Sequence, residues 1–309
     1  MLFKKKIKQE TQPLPFSSFS QKNNSIVPNF DEYLLNSALS RLDEMIGLTS
    51  VKTKLRELID LQKVNQLRRQ NGLKTVITSN HLVFSGNPGT GKTTCARILA
   101  DAFKALGVVE HGQLIEVDRS SLIGKYQGET EIKTKNVIEQ ALGGILFIDE
   151  AYSLATGNEN DYGQRAIEVL LKEMEDHKTD FVVIAAGYTD DMQRFLLSNP
   201  GLTSRFKDTI SFPDYTELEL LQIVQRLVKR DGFILEDNLS QLLLSYFSYI
   251  KGNKNFANAR EVRNLIETAQ QKQAVRLAKN YTNLNDVDLS LLKVEDFNEA
   301  MKEITNCGQ

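Results

Sequence analysis

The chain has 309 residues, with 38 Lys and Arg against 40 Asp and Glu, and 41% of its residues are hydrophobic. A net charge of −2 lacks the basic balance of a nucleic-acid-binding domain, and no apolar run approaches the ~20 residues of a membrane span. The two cysteines, Cys95 and Cys307, have no metal-type spacing and make no disulfide framework. A reducing compartment is therefore expected, cytoplasmic or, for a plastid-encoded chain, stromal.

Residues 1–30 hold Pro13, Pro15 and Pro28 among many Ser, Asn and Gln, and read as a disordered leader. Lys4, Lys5, Lys6 and Lys8 read as solvated charge rather than a membrane tether. A short helix is expected over 31–42, followed by a turn at Ile46, Gly47 and Leu48. The long helix after it should be capped by Thr49 or Ser50, carry Val51, Leu55, Leu58, Ile59, Val64 and Leu67 at helical spacing, and stop near Asn71 and Gly72.

Strands at 81–85, 113–117, 144–148, 181–186 and 209–212 then alternate with helices at 92–105, 130–141 and 162–176. This is the pattern of a parallel sheet covered on both faces. After Phe212, Pro213, Asp214 and Tyr215 only helices are expected, at 216–230, 236–250, 259–279 and 294–304. The expected organisation is a leader (1–30), an α/β nucleotide-binding domain with N-terminal helices (31–213) and a small helical domain (214–309). Clefts between such domains often hold ligands.

Two motifs carry chemistry. Gly86, Asn87, Pro88, Gly89, Thr90, Gly91, Lys92 and Thr93 match the phosphate-loop pattern GxxxxGK[ST], between a buried strand and a helix that begins near Thr94. Such a loop turns backbone N–H groups toward phosphate, and the helix N-terminus adds positive potential. Lys92 is placed to reach the outer phosphates, and the Thr93 hydroxyl to ligate Mg²⁺. The second motif is the apolar strand Ile145–Ile148 followed by Asp149 and Glu150. Asp149 is expected to hold Mg²⁺ through water, and Glu150 to polarise the water that attacks the γ-phosphate of ATP.

These motifs resemble those of the AAA+ ATPases. The segments Leu122–Gly128, Gly143–Leu154 and Ala186–Met192 narrow the likeness to the branch containing red-type rubisco activases and stage V sporulation protein K. Leu42–Leu48 and Asn258–Asn264 extend it over about residues 40–280, most of the chain. The resemblance implies a P-loop AAA+ sheet with an all-α lid, ATP hydrolysis, a self-assembled ring (usually a hexamer) and a protein client. It also implies that Arg205, in Asn199–Phe206, completes a neighbour's site in trans, with Arg194 the weaker alternative. A guanidinium there would stabilise charge on the transferring phosphoryl group.

By the same resemblance Arg260 is the lid arginine that contacts phosphate. On the residues alone, Arg260 and Arg263 could instead pair with Glu261 and Glu267 on a solvated helix. The family often places Asn at the end of the fourth strand to orient water. Here that segment reads Ala185, Ala186, Gly187, Tyr188, Thr189, leaving Tyr188 or Thr189 for the role. Lys125 and Tyr126, between Gly124 and Gly128, match the loop that faces the ring's pore and grips a polypeptide. Two other readings compete: an ATP-gated scaffold without threading, and a DNA-directed AAA+ protein. The intact acid pair and Arg205 speak against the first, and the acidic pI against the second. Neither nucleic acid nor membrane is expected as a partner.

Overall fold

The computed structural model describes residues 30–75, 79–126, 128–155, 162–253, 256–279 and 288–307. The expected leader lies almost wholly outside these residues, as does Gln127 in the loop expected to grip a client.

Two helices come first, α1 (Glu32–Glu44) and α2 (Thr49–Gln70). The α/β unit follows as β1 (Leu82–Gly86), α3 (Lys92–Ala105), β2 (Leu114–Val117), α4 (Arg119–Leu122), α5 (Glu129–Ala141), β3 (Ile145–Ile148), α6 (Tyr162–Asp176), β4 (Val182–Gly187), α7 (Thr189–Leu197), α8 (Pro200–Arg205) and β5 (Asp208–Phe212). The lid holds α9 (Glu217–Arg230), β6 (Ile234–Leu235), α10 (Leu239–Ile250), α11 (Ala259–Lys279), β7 (Leu291–Leu292) and α12 (Val294–Cys307).

The five main strands are all parallel, in the order β2-β3-β4-β1-β5. Side chains alternate between the two faces, as the pleat requires. Leu82, Phe84, Ile145, Phe147, Val182 and Ile184 join a cluster that includes α1, α2 and α3 and runs on into the lid helices. Val83, Leu146, Ile148, Val183 and Ala185 join a second cluster with α5, α6 and α7. The lid is tied internally by Arg276 of α11, whose Nε and Nη2 donate to the two oxygens of Asp296 in α12 at 2.8 Å. Asp296 is buried, and its pairing with a planar guanidinium satisfies both oxygens at once.

Several local expectations change. No side chain caps α2. Leu48 precedes it with φ of 55°, and Lys52 Nζ donates back to Asp43 O at 3.0 Å. The buried stripe of α2 continues from Ile59 through Gln62 and Asn65, while Val64 is exposed. Gln62 can lie inside because its amide finds Asn80 Oδ1 at 2.8 Å. A polar position that is satisfied locally does not show in a hydrophobicity pattern. Helices α4, α7 and α8 were not expected; α4 is a single turn held by Asp118 Oδ1, which accepts from the Ser121 amide at 3.0 Å. The lid is not purely helical, since β6 and β7 pair in parallel.

His81, at the start of β1, is buried, and its Nδ1 accepts the Val183 amide at 3.0 Å. Burial first, and the nearby Arg205 charge second, push its pKa from 6.5 down to about 4. The unfolded chain therefore binds the extra proton between these values, and stability falls as pH drops through that window, by roughly 2–3 kcal/mol. Denaturation curves from about pH 7 to 4 should show a steeper loss in the wild type than in His81→Gln, which keeps an acceptor for Val183. Equal slopes would remove His81 from the acid response.

Candidate active site

An all-parallel sheet sends the carboxyl ends of its strands to one edge, where the following loops converge. The loops after β1, β3, β4 and β5 meet there at a cleft of about 490 Å³. It is lined by Gly86, Pro88, Gly89, Gly91, Lys92, Thr93 and Thr94 from the phosphate loop, by Asp149 and Glu150, and by Arg260 and Arg263 of α11. Met45, Ile46, Tyr215, Ile223 and Leu227 add apolar lining. This mixture of polar and apolar lining suits a nucleotide, whose phosphates favour a helix N-terminus and whose planar base favours apolar side chains.

Lys92 opens α3 after Gly91, whose φ is 96°. Its Nζ donates to Gly86 O at 2.7 Å and Asn87 O at 2.8 Å, spanning the loop. Burial holds this ammonium below the usual lysine value. Asp149 opposes the shift, Arg260 adds to it, and Asp214 opposes it again. A cation so placed gains from an anionic ligand. The side chains of Asn87 and Thr90 serve the loop itself: Asn87 Nδ2 donates to Asp214, and buried Thr90 donates to Asn87 O at 2.7 Å.

Glu150 has φ of 48°, a left-handed conformation that is costly for a residue with Cβ. Two bonds hold it. Its amide donates to Asp149 Oδ1 at 3.1 Å, and its carbonyl accepts from the Ser153 amide at 2.8 Å. At the end of β4, Tyr188 lines the cleft, while Thr189 begins α7 and does not. Of the two candidates for orienting water, the structure brings only Tyr188 to the site. Its ring lies 6.0 Å from that of Tyr152. Burial, then the Glu150 carboxylate, push the Tyr152 phenol up to about 12, so it stays protonated as a donor.

Arg205 is elsewhere. It ends α8, just before β5 begins, and its carbonyl accepts from Ser79 Oγ at 2.5 Å, just before β1 begins. It therefore sits at the amino ends of strands whose carboxyl ends carry the cleft. Five extended residues at ~3.3 Å each put roughly 16 Å of sheet between them. Its guanidinium is held by Gly201 O at 3.5 Å, Ser204 Oγ at 3.3 Å and Glu175 Oε2 at 3.4 Å. Arg194 is exposed and paired with Asp191.

Tyr126 is 71% exposed. The Lys125 and Tyr126 amides donate to Glu129 Oε2 at 2.9 and 3.1 Å, and the Gly124 amide to Thr130 Oγ1 at 3.0 Å. The loop thus leans on the first turn of α5, with α4 rather than a strand before it. A Cβ on Gly124 would fall 2.3 Å from Glu129 Cβ. Close packing, more than freedom to move, requires glycine there.

Family models match both units. The ATPase family associated with various cellular activities (AAA) covers residues 82–214, and the AAA lid domain covers 216–306. The chain is 43% identical over 280 residues to the chloroplastic ribulose bisphosphate carboxylase/oxygenase activase of Cyanidioschyzon merolae, covering 90% of this chain and 96% of that protein. The chain belongs to the AAA family of ATPases. It is also 41% identical over 266 residues to stage V sporulation protein K of Bacillus subtilis, covering 85% of this chain and 82% of that one. The FIGL-1 AAA domain, crystallised with ADP, shares its fold at a TM-score of 0.59 and 20% identity, over 84% of this chain and 83% of that one.

In this AAA ATPase, sequence reasoning found the phosphate loop and acids but missed Met45, Ile46, Ile223 and Leu227. They are ordinary apolar residues on two separate segments, the turn after α1 and helix α9, and only the folded lid makes a wall of them. Arg226 was also missed. It lines the cleft while its Nη2 bonds Glu44 Oε2 at 3.0 Å, pinning α9 to α1. Among the described residues no helix is long and apolar enough to cross a membrane.

Glu150→Gln should lower kcat for ATP by ~10²-fold or more, the usual worth of a positioned general base. ATP affinity should stay near the wild-type value. Equal loss of binding and turnover would make Glu150 a structural residue instead.

Proposed function

We propose that this ATPase is a ring-forming motor that remodels a protein client. Arg205 carries the reading: it lies at the opposite end of the sheet from its own chain's cleft. An arginine so placed can serve ATP only from a neighbouring copy. Head-to-tail repetition of that contact closes a ring, and six copies is the number the family resemblance implies. In this scheme Lys92 and the loop amides bind the phosphates. Arg260 reads them from the lid, and Arg205 of the next copy stabilises charge in the transition state. Glu150 activates water, with Tyr188 orienting it. Mg²⁺ needs only one or two protein oxygens beside phosphate and water. Thr93 and Asp149, both lining the cleft, fit that requirement and would hold the ion, which would neutralise developing charge on the phosphates.

Tyr126 supports the mechanical half. A large aromatic ring held out on an anchored loop offers apolar contact with little rotamer entropy to lose. Lys125 is exposed beside it. One named relative is a chloroplastic activase of ribulose bisphosphate carboxylase/oxygenase and the other a sporulation protein. This chain is similar to both over most of its length, so the likeness supports a protein client without fixing its identity.

The test is a trap. Glu150→Gln in ATP should retain a client protein, and adding Tyr126→Ala should release it while ATP binding persists. A client held equally without Tyr126 would contradict engagement by this loop.

A further inference from the structure

The phosphate loop is clasped from behind by the lid and by the segment leading into it. Four consecutive loop residues take part. Asn87 Nδ2 donates to both Asp214 oxygens at 3.0 and 2.9 Å. Pro88 O accepts from Asn258 Nδ2 at 3.3 Å, and Gly89 O from the Ala259 amide at 3.3 Å. Thr90 O accepts from the Tyr215 hydroxyl at 3.4 Å.

Asn258 is the centre of this clasp. It is fully buried with φ of 51°, a conformation Asn tolerates better than most residues. Its Oδ1 accepts the Tyr215 amide at 2.9 Å, and its Nδ2 also donates to Asp214 Oδ1 at 2.7 Å. It thus spends its amide on the phosphate loop, on the hinge before α9 and on the carboxylate that holds Asn87. Ala259 and Arg260 follow it directly, so its conformation aims the start of α11. Gly89 confirms the closeness: a Cβ there would fall 2.1 Å from Ala257 O and 2.8 Å from the Arg260 amide.

We infer that Asn258, bridged by Asp214, is a positioning residue that couples the shape of the phosphate loop to the angle of the lid. A shift of Asn87, Pro88 or Gly89 on phosphate binding strains bonds that end on the lid, whether or not Arg260 touches the ligand. Coupling of this kind is reciprocal: displacing the lid must weaken ATP binding by the same factor by which ATP biases the lid. The inference rests on the cleft being the ATP site and is independent of the client.

The test uses the full chain with Cys307→Ser and spin labels at Lys172→Cys and Ser248→Cys, both exposed, on α6 and α10. The α6–α10 distance should change when a non-hydrolysable ATP analogue binds. In Asn258→Asp, which sets two carboxylates face to face, that change should be lost and affinity for the analogue weakened by about fivefold or more. Asp214→Ala, which removes both acceptor oxygens, should also lose the change. Asp214→Asn/Asn258→Asp restores a donor–acceptor pair with its direction reversed but not the bond to Pro88 O, and should recover part of the response. Should Asn258→Asp fail to fold, the exposed Asp214 variant and the double variant carry the comparison. A full lid response in either single variant, or a double variant no better than the singles, would overturn the inference. A wild-type chain that bound no analogue would overturn the reading of the cleft, and the inference with it.

Discussion

The parallel register of the sheet is the constraint on which the rest of the structure depends. Because β1 lies between β4 and β5, with β3 beyond β4, the loops after β1, β3 and β4 and the hinge after β5 emerge side by side. The phosphate loop, the acid pair, Tyr188 and Asp214 are brought together by topology, although they span more than a hundred residues of chain. The same register sends Ser79, His81 and Arg205 to the other end. In the proposed ring, one chain offers Arg205 at one edge of its sheet and its cleft at the other.

Three described residues other than glycine have positive φ: Leu48, Glu150 and Asn258. All three adjoin the cleft. Leu48 follows the wall residues Met45 and Ile46, Glu150 lies within the cleft, and Asn258 sets the start of α11. Each such conformation costs on the order of 1–3 kcal/mol and survives only where its surroundings over-determine it. Buried Leu48, the turn through Ser153, and the three bonds of the Asn258 amide are those surroundings. Concentrating this cost around one cleft is characteristic of a site held in a working geometry.

The fold was largely legible because alternation of apolar strands with amphipathic helices is a repeated signal. Ile145–Ile148, apolar at every position, could hardly be other than a central parallel strand. The phosphate loop and acid pair were legible because each combines spacing with flanking structure. What escaped was cooperative. Asn258 reads as one polar residue before a helix, and nothing near it points to Pro88 or Asp214, which lie 170 and 44 residues away. Gln62 looks solvated until Asn80 is placed beside it. Leu48 as a helix start breaks the capping preference of Thr and Ser, because its side chain is needed in the core. Such residues are chosen by partners distant in sequence, and a single-chain pattern carries no trace of the choice.

The most direct measurement mixes two disabled chains. Glu150→Gln and Arg205→Ala should each be nearly inactive as ATPases alone. Combined in equal amounts, random assortment gives roughly a quarter of interfaces an intact Glu150 from one copy and an intact Arg205 from the next. Recovery of ATP hydrolysis on mixing is the expected result, and it would tie the two ends of the sheet together across copies. A mixture no more active than its parts, in chains shown to co-assemble, would contradict a site shared between subunits.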